Sequence, residues 1–348
     1  MKPIWVTNDM TRLDQCILTM LLAALSLLPA GCGGCGFDCS GNNNNNSATR
    51  LTLGFSDSLP EDLDAVEITV ESIIFRRSGN EDIVVDSFTI KPLSDVDSPE
   101  FQMNLLDYQG DSQLDVITDF EIPSGFYREV SIVIAGNDIN ASYVTEAATG
   151  RRVELNVPGG SLDLKDLSLP SGEQIVAVEF SLAQALEYQS DTQPYLLNTT
   201  GIRMQNHASS ARLWGQIDRN LFDEVEPCSS KEVPTSGNRL YLYQGKGLQQ
   251  QALADVYNAA RADNVPPNAI APFAVASIVQ SRTTSEWEYA FGYLPDGDYT
   301  MAFSCNTSTD NSITYEGLEI PLPTNQVYEV TLNEGARVQC NLTNNARC

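Results

Sequence analysis

Residues 287–305 read WEYAFGYLPDGDYTMAFSC. Trp287, Tyr289, Phe291 and Tyr293 alternate with Glu288, Ala290 and Gly292, and Tyr299, Met301, Phe303 and Cys305 alternate with Thr300, Ala302 and Ser304. Successive side chains of a strand point to opposite faces, so each run predicts a strand with an aromatic inner face. Pro295-Asp296-Gly297-Asp298 supplies turn formers between them, and the two strands are expected to pair as a hairpin. The same period recurs upstream. Val66, Ile68 and Val70 alternate with Glu67, Thr69 and Glu71, and Val176, Val178, Phe180 and Leu182 alternate with Ala177, Glu179 and Ser181. Both patterns predict one buried and one wet face. Further strand-like runs are 51–55, 83–90, 101–106, 128–135, 152–157, 161–169, 196–204, 213–217, 239–243, 327–332 and 337–342. Short strands between turn signals argue an all-β chain built as a sandwich or barrel. Two segments read differently: 183–188 as a helical turn or two, and 249–262 (QQQALADVYNAARA) as a short surface helix.

The start of the chain speaks to location. Residues 17–28 (ILTMLLAALSLL) are apolar but too short for a bilayer span, which takes ~20 residues. Lys2 and Arg12 precede the run and Pro29-Ala30-Gly31-Cys32 follows it, as in a cleaved export signal. This junction resembles the lipobox of bacterial lipoproteins, with Pro29 where that motif usually has Leu. The resemblance implies cleavage before Cys32 and acylation of its sulfur. The absence of Asp after Cys32 implies an outer-membrane destination, periplasmic or surface-facing. Residues 33–47 (GGCGFDCSGNNNNNS) have almost nothing to bury and read as a flexible tether. The expected layout is 1–31 signal peptide, 32–48 tether, 49–206 first sandwich, 207–211 small-residue junction and 212–348 second sandwich.

Lys and Arg total 20 against 46 Asp and Glu, a net charge of −26. Such a surface repels nucleic acid and anionic lipid headgroups. Of eight cysteines, Cys16, Cys32, Cys35 and Cys39 lie early and Cys228, Cys305, Cys340 and Cys348 late. In an exported chain the late four read as two disulfides, with three possible pairings. Cys305 and Cys340, both in strand-like runs, are the first expected partners.

Leu51-Thr52-Leu53, Val66-Glu67-Ile68-Thr69-Val70, Leu105-Leu106-Asp107, Ile122-Pro123-Ser124-Gly125-Phe126-Tyr127, Val157-Pro158-Gly159 and Val178-Glu179-Phe180-Ser181-Leu182 follow one another in order. This succession resembles the bacterial domain of unknown function 4382 over residues 49–206. That family occurs in exported lipoproteins and implies a β-sandwich without an established activity. Its late strand usually carries Asp-Phe-Asp where this chain has Glu179-Phe180-Ser181. Leu294-Pro295-Asp296-Gly297-Asp298-Tyr299 resembles the corner of carboxypeptidase-regulatory-like and Cna-B-type modules, which are prealbumin-like sandwiches. Together the two resemblances imply an all-β chain of two β-sandwich bodies, immunoglobulin-like or prealbumin-like. Some Cna-B-type modules cross-link a Lys to an Asn. Lys231 and Lys246 are the lysines of this unit, and the disulfides already supply its staples.

The chain has one histidine, His207, in the junction, so a Ser-His-Asp or Cys-His triad would have to use it. No Gly-x-Ser-x-Gly elbow and no phosphate-binding glycine loop occurs, and no catalytic residue is assigned. Calcium wants clustered oxygens. The loop with Asp57, Glu61, Asp62 and Asp64 is the place to expect an ion, against the ordinary reading of a wet loop; no other cofactor is expected. The sequence therefore points to a non-catalytic, lipid-anchored envelope or cell-surface protein. Its membrane contact is the anchor, and its partner is a polysaccharide, an envelope protein or another cell. The alternatives are a carboxylate-based extracellular glycoside hydrolase and a calcium-stabilised adhesion module.

Overall fold

Leu51, Leu53 and Phe55 are fully buried because β1 (Ala48–Ser58) runs through the middle of a sheet. The computed structural model describes residues 48–58, 63–90, 96–110, 112–190, 193–281, 284–343 and 348. After β1 come β2 (Leu63–Arg76), β3 (Ile83–Val85), β4 (Phe101–Asn104), β5 (Leu114–Pro123), β6 (Gly125–Ile134) and β7 (Tyr143–Glu146). They are followed by β8 (Arg152–Asn156), β9 (Ser161–Leu169), β10 (Gly172–Ser181), the single helical turn α1 (Leu182–Ala185), β11 (Leu186–Glu187), β12 (Tyr195–Leu197) and β13 (Ile202–Asn206). One sheet has the order β13-β10-β1-β5; the other runs β11-β12-β8-β7-β2-β6-β9, with β3 and β4 also paired to β2. Their inner faces share one core, in which Phe55 packs on Phe101 and Phe180. Each fully buried Phe or Leu contributes ~1.5–3 kcal/mol.

The later strands are β14 (Ala211–Ile217), β15 (Arg239–Gln244), β16 (Ala274–Ser277), β17 (Val279–Gln280), β18 (Trp287–Leu294), β19 (Gly297–Ser304), β20 (Val327–Leu332) and β21 (Arg337–Gln339). They form two four-stranded sheets, β17-β18-β14-β21 and β16-β15-β19-β20. In both bodies the first strand is closed by a late one in parallel: β1 by β10, and β14 by β21. Both bodies lie within the compact unit Asn46–Cys348.

The hairpin expected over 287–305 is corrected. β18 pairs with β14 and β17, whereas β19 pairs with β15 and β20. The Pro295–Gly297 turn therefore carries the chain from one sheet to the facing one. A two-stranded ribbon would leave its aromatic face uncovered. Splitting the strands lets Tyr289 and Phe291 meet Tyr299, Met301 and Phe303 from opposite sides of one core. The corner is closed by the Tyr299 hydroxyl, which donates to the Pro295 carbonyl at 3.0 Å. An equivalent corner joins β5 to β6, where the Tyr127 hydroxyl donates to the Pro123 carbonyl at 2.6 Å. Both corners read Pro-x-Gly-x-Tyr, and their glycines, Gly125 (φ 136°) and Gly297 (φ 152°), adopt backbone that side chains disfavour.

One face expected to be wet is buried, and so is a second that the sequence left unassigned. On β10, Ala177, Glu179 and Ser181 are as inaccessible as Val176, Val178 and Phe180. On β15, Leu240 and Leu242 join the main core of the second sandwich, while Tyr241 and Tyr243 join a separate cluster with Leu253, Val256 and Ile320. The segment covering those tyrosines is 249–262, expected as a surface helix. It holds one short 3-10 turn, Gln250–Ala252, and then buries Leu253, Ala254, Asp255 and Val256. Its leucine, alanine and valine have more to gain against the sheet than in a solvated helix.

The disulfides are Cys228–Cys305 and Cys340–Cys348. The expected Cys305–Cys340 pairing is corrected: Cys305 follows β19 and Cys340 follows β21, and these strands belong to different sheets. Among the described residues no helix is long and apolar enough to cross a membrane.

Candidate binding cleft between the two sandwiches

Glu179 and Arg203 face each other across β10 and β13, and their side chains meet at 2.6 Å. The Arg203 guanidinium also lies 4.7 Å from the Phe273 ring centre and donates to the Phe273 carbonyl at 3.3 Å. One arginine of the first sandwich thus grips the second. Burial pushes the Glu179 carboxyl up, and the Arg203 charge opposes that rise. Beside it, the Gln184 amide donates to the Pro272 carbonyl at 3.0 Å, and the Ser312 hydroxyl donates to the Leu186 carbonyl at 2.8 Å. Arg261 pairs with the buried Glu187. His207, read from sequence as a linker residue, stands edge-on to Tyr293 with ring centres 5.6 Å apart. The expected junction is a packed contact.

A second buried charge cluster lies inside the later sandwich. Asp310 accepts from Arg239 at 3.1 Å, from the Tyr241 hydroxyl at 2.6 Å and from the Val256 amide at 3.1 Å. Asp255 accepts from the Leu318 amide at 2.8 Å. Burial pushes the Asp255 carboxyl up to about 6; the Asp310 charge adds to the rise, and backbone amides oppose it. Tyr241 and Tyr243 are likewise pushed well above the usual phenol range by burial.

Between the sandwiches lies a cleft of about 430 Å³. One wall is the outer face of the sheet holding β14. Trp214 lies across from Ala290 on β18 and Gln339 on β21, and Gln216 lies across from Glu288. Residues directly opposite in a sheet share a face, so these side chains form one surface. The Arg212 guanidinium lies 4.9 Å from the Trp214 ring centre. The opposite wall is the end of β1 and the turn at Gln109-Gly110. Asp57 is buried there, with its amide donating to the Tyr108 carbonyl at 2.7 Å. A side chain at Gly110 would place its Cβ 3.6 Å from the Ala290 Cβ, which shows how closely the walls approach. Behind the sheet, a Cβ at Gly215 would fall 1.9 Å from the Cys340 carbonyl oxygen, so only glycine allows β14 to sit there.

The sequence expectations meet this geometry unevenly. Of the proposed calcium loop, Glu61 and Asp62 lie outside the described residues, Asp57 is buried in the cleft wall and Asp64 is exposed on β2. Among the described residues no group of three or more His, Cys, Asp or Glu is placed to hold a metal ion. Cys32, the expected lipidation site, lies outside the described residues. Lys231 donates to the Ser236 and Cys305 carbonyls at 2.5 and 2.6 Å and to Asn238 Oδ1 at 3.0 Å; Lys246 pairs with Asp298. The cleft residues themselves were not singled out by the sequence. Their signal is the run Arg212-Leu213-Trp214-Gly215-Gln216, whose outward positions carry a tryptophan instead of small polar groups.

Residues 48–198 match the family described as Domain of unknown function (DUF4382). The DUF4382 region covers β1 to β12 and supplies Asp57, Gln109 and Gly110 to the cleft. Residues that follow it supply β13 and the whole second sandwich. No curated protein sequence matches the chain. Among solved structures, the Bacillus anthracis TIE protein is similar at 9% identity and a TM-score of 0.17, over 86% of this chain and 34% of that one. This chain therefore spans about a third of that protein's length. A Bacteroides ovatus protein proposed to be an adhesin is 7% identical over 90% of this chain and 98% of its own, with a TM-score of 0.18. A Bacteroides fragilis protein proposed to act in cell adhesion is 10% identical over 84% and 92%, with a TM-score of 0.19.

Proposed function

We propose that this protein is a non-catalytic binding body of the bacterial envelope, exported and anchored through lipid on Cys32. Its partner would be a polysaccharide, an envelope protein or another cell. The observation that carries this reading is the interlock at Arg203, which ties β10 and β13 to Phe273 and fixes the first sandwich against the second, which both disulfides brace. A rigid body with a preformed cleft suits recognition, because little ordering entropy is lost on binding. Export fits both the disulfides and the segment at 17–32. The DUF4382 region contributes one wall of the cleft and, through Gln184, Leu186 and Glu187, further contacts to the second sandwich.

Anchoring is tested by mass spectrometry of the processed protein from membranes. The expected product begins at Cys32 and carries acyl chains, and Cys32→Ala abolishes membrane retention. An unmodified residue 32 on the mature chain would overturn the anchor. Exposure is tested by protease treatment of intact cells, which is expected to release fragments of the folded body.

A further inference from the structure

The geometry points to the ligand class of the intersandwich cleft: we propose that it binds a neutral oligosaccharide, one sugar ring stacking against Trp214. The proposal rests on the binding role argued above and assigns that role to one site. The cleft volume of about 430 Å³ falls within the ~300–1,000 Å³ typical of small-ligand sites. Its wall combines one aromatic ring with groups that both give and accept hydrogen bonds. Trp214 is half-buried, and Arg212 stacked 4.9 Å from its centre holds the ring in one orientation. An indole offers an apolar plane to the C–H face of a sugar ring. On the same sheet face the amides of Gln216 and Gln339 match hydroxyls, which are also donor and acceptor at once. Glu288, opposite Gln216, adds a strong acceptor.

The charges select among classes. A simple cation needs acceptors alone, and Arg212 and the amide donors are of no use to it. An acidic glycan would meet Asp57 and Glu288 in the walls and a chain of net charge −26. A neutral, hydroxyl-rich ring uses every group present. All the cleft side chains of the second sandwich stand on paired strands, so their spacing is set before ligand arrives.

The test is calorimetric titration of the processed, acylated protein in detergent with cellotriose, chitotriose and laminaritriose. A galacturonate trimer and trilysine serve as charged controls. At least one neutral trisaccharide is expected to bind with millimolar or tighter affinity. Trp214→Ala is expected to weaken it about tenfold or more, as for a central aromatic anchor. Gln216→Ala, which removes an exposed amide from the same sheet face, is expected to weaken it as well while the protein melts as the parent does. Three results would each overturn the proposal: silence of every neutral trisaccharide to about 10 mM, unchanged affinity in both variants, or tighter binding of a charged control than of any neutral sugar. If the acylated protein still binds intact cells after Trp214→Ala, the envelope role stands and this cleft is not its site.

Discussion

Asp255 shows what burial does to a single carboxyl. It is fully buried, and its carboxyl is pushed from 3.8 up to about 6. Between those values the folded protein holds a proton that the unfolded chain has released, so stability falls as pH rises through the window. The loss is about 3 kcal/mol. Asp255→Asn keeps an oxygen for the Leu318 amide and carries no charge. The variant is expected to lose the downward slope between about pH 4 and 6 and to be at least as stable as the parent at pH 7, measured by urea unfolding across pH. A parental slope retained in the variant would place the titration elsewhere. Asp310 differs because Arg239 opposes the rise that burial imposes on its carboxyl.

At the scale of elements, the two Pro-x-Gly-x-Tyr corners decide which strands share a sheet. Each hydroxyl satisfies a carbonyl that the chain exposes as it leaves one sheet for the other. Tyr299→Phe and Tyr127→Phe keep the buried rings and remove only that bond. Each is expected to cost ~1 kcal/mol, with the pair additive because the corners lie in different cores. Gly125→Ala and Gly297→Ala are expected to cost more, since the backbone conformation itself is disfavoured for a side chain. Denaturant midpoints of the four variants check this order, and a corner glycine cheaper to replace than its tyrosine hydroxyl would contradict it.

For the molecule as a whole, the question is whether two sandwiches behave as one. Arg203, Arg261, Gln184 and Ser312 each bridge them. The parent is therefore expected to melt in a single calorimetric transition. Arg203→Ala leaves Glu179 buried without its partner, which is expected to cost ~3–5 kcal/mol at neutral pH. The cost should shrink in acid, where Glu179, already pushed up by burial, takes a proton and loses its need for a counter-charge. The variant is also expected to separate the transition into two, because the link to Phe273 is gone. Two transitions already present in the parent would show that the interlock does not couple the bodies.

The sequence by itself determined the all-β class, the positions of most strands and which side chains of each strand stay together, because alternation is local and depends only on the pleat. It also marked the turn at Pro295-Asp296-Gly297-Asp298, though as the turn of a hairpin and not as a corner between sheets. It missed β5, β7, β16 and β17; in β5 and β7 the alternation is diluted by acids and threonines at Asp115, Asp119, Glu121, Thr145 and Glu146. Tertiary structure alone decided that 287–305 divides between two sheets, that Cys305 joins Cys228, and that the polar sides of β10 and β15 are covered. It also brought Asp57 and Gly110 within reach of Trp214 and its neighbours. Each of these outcomes depends on contacts between residues far apart in the chain, and the two-residue period of a strand looks the same whatever finally packs against it.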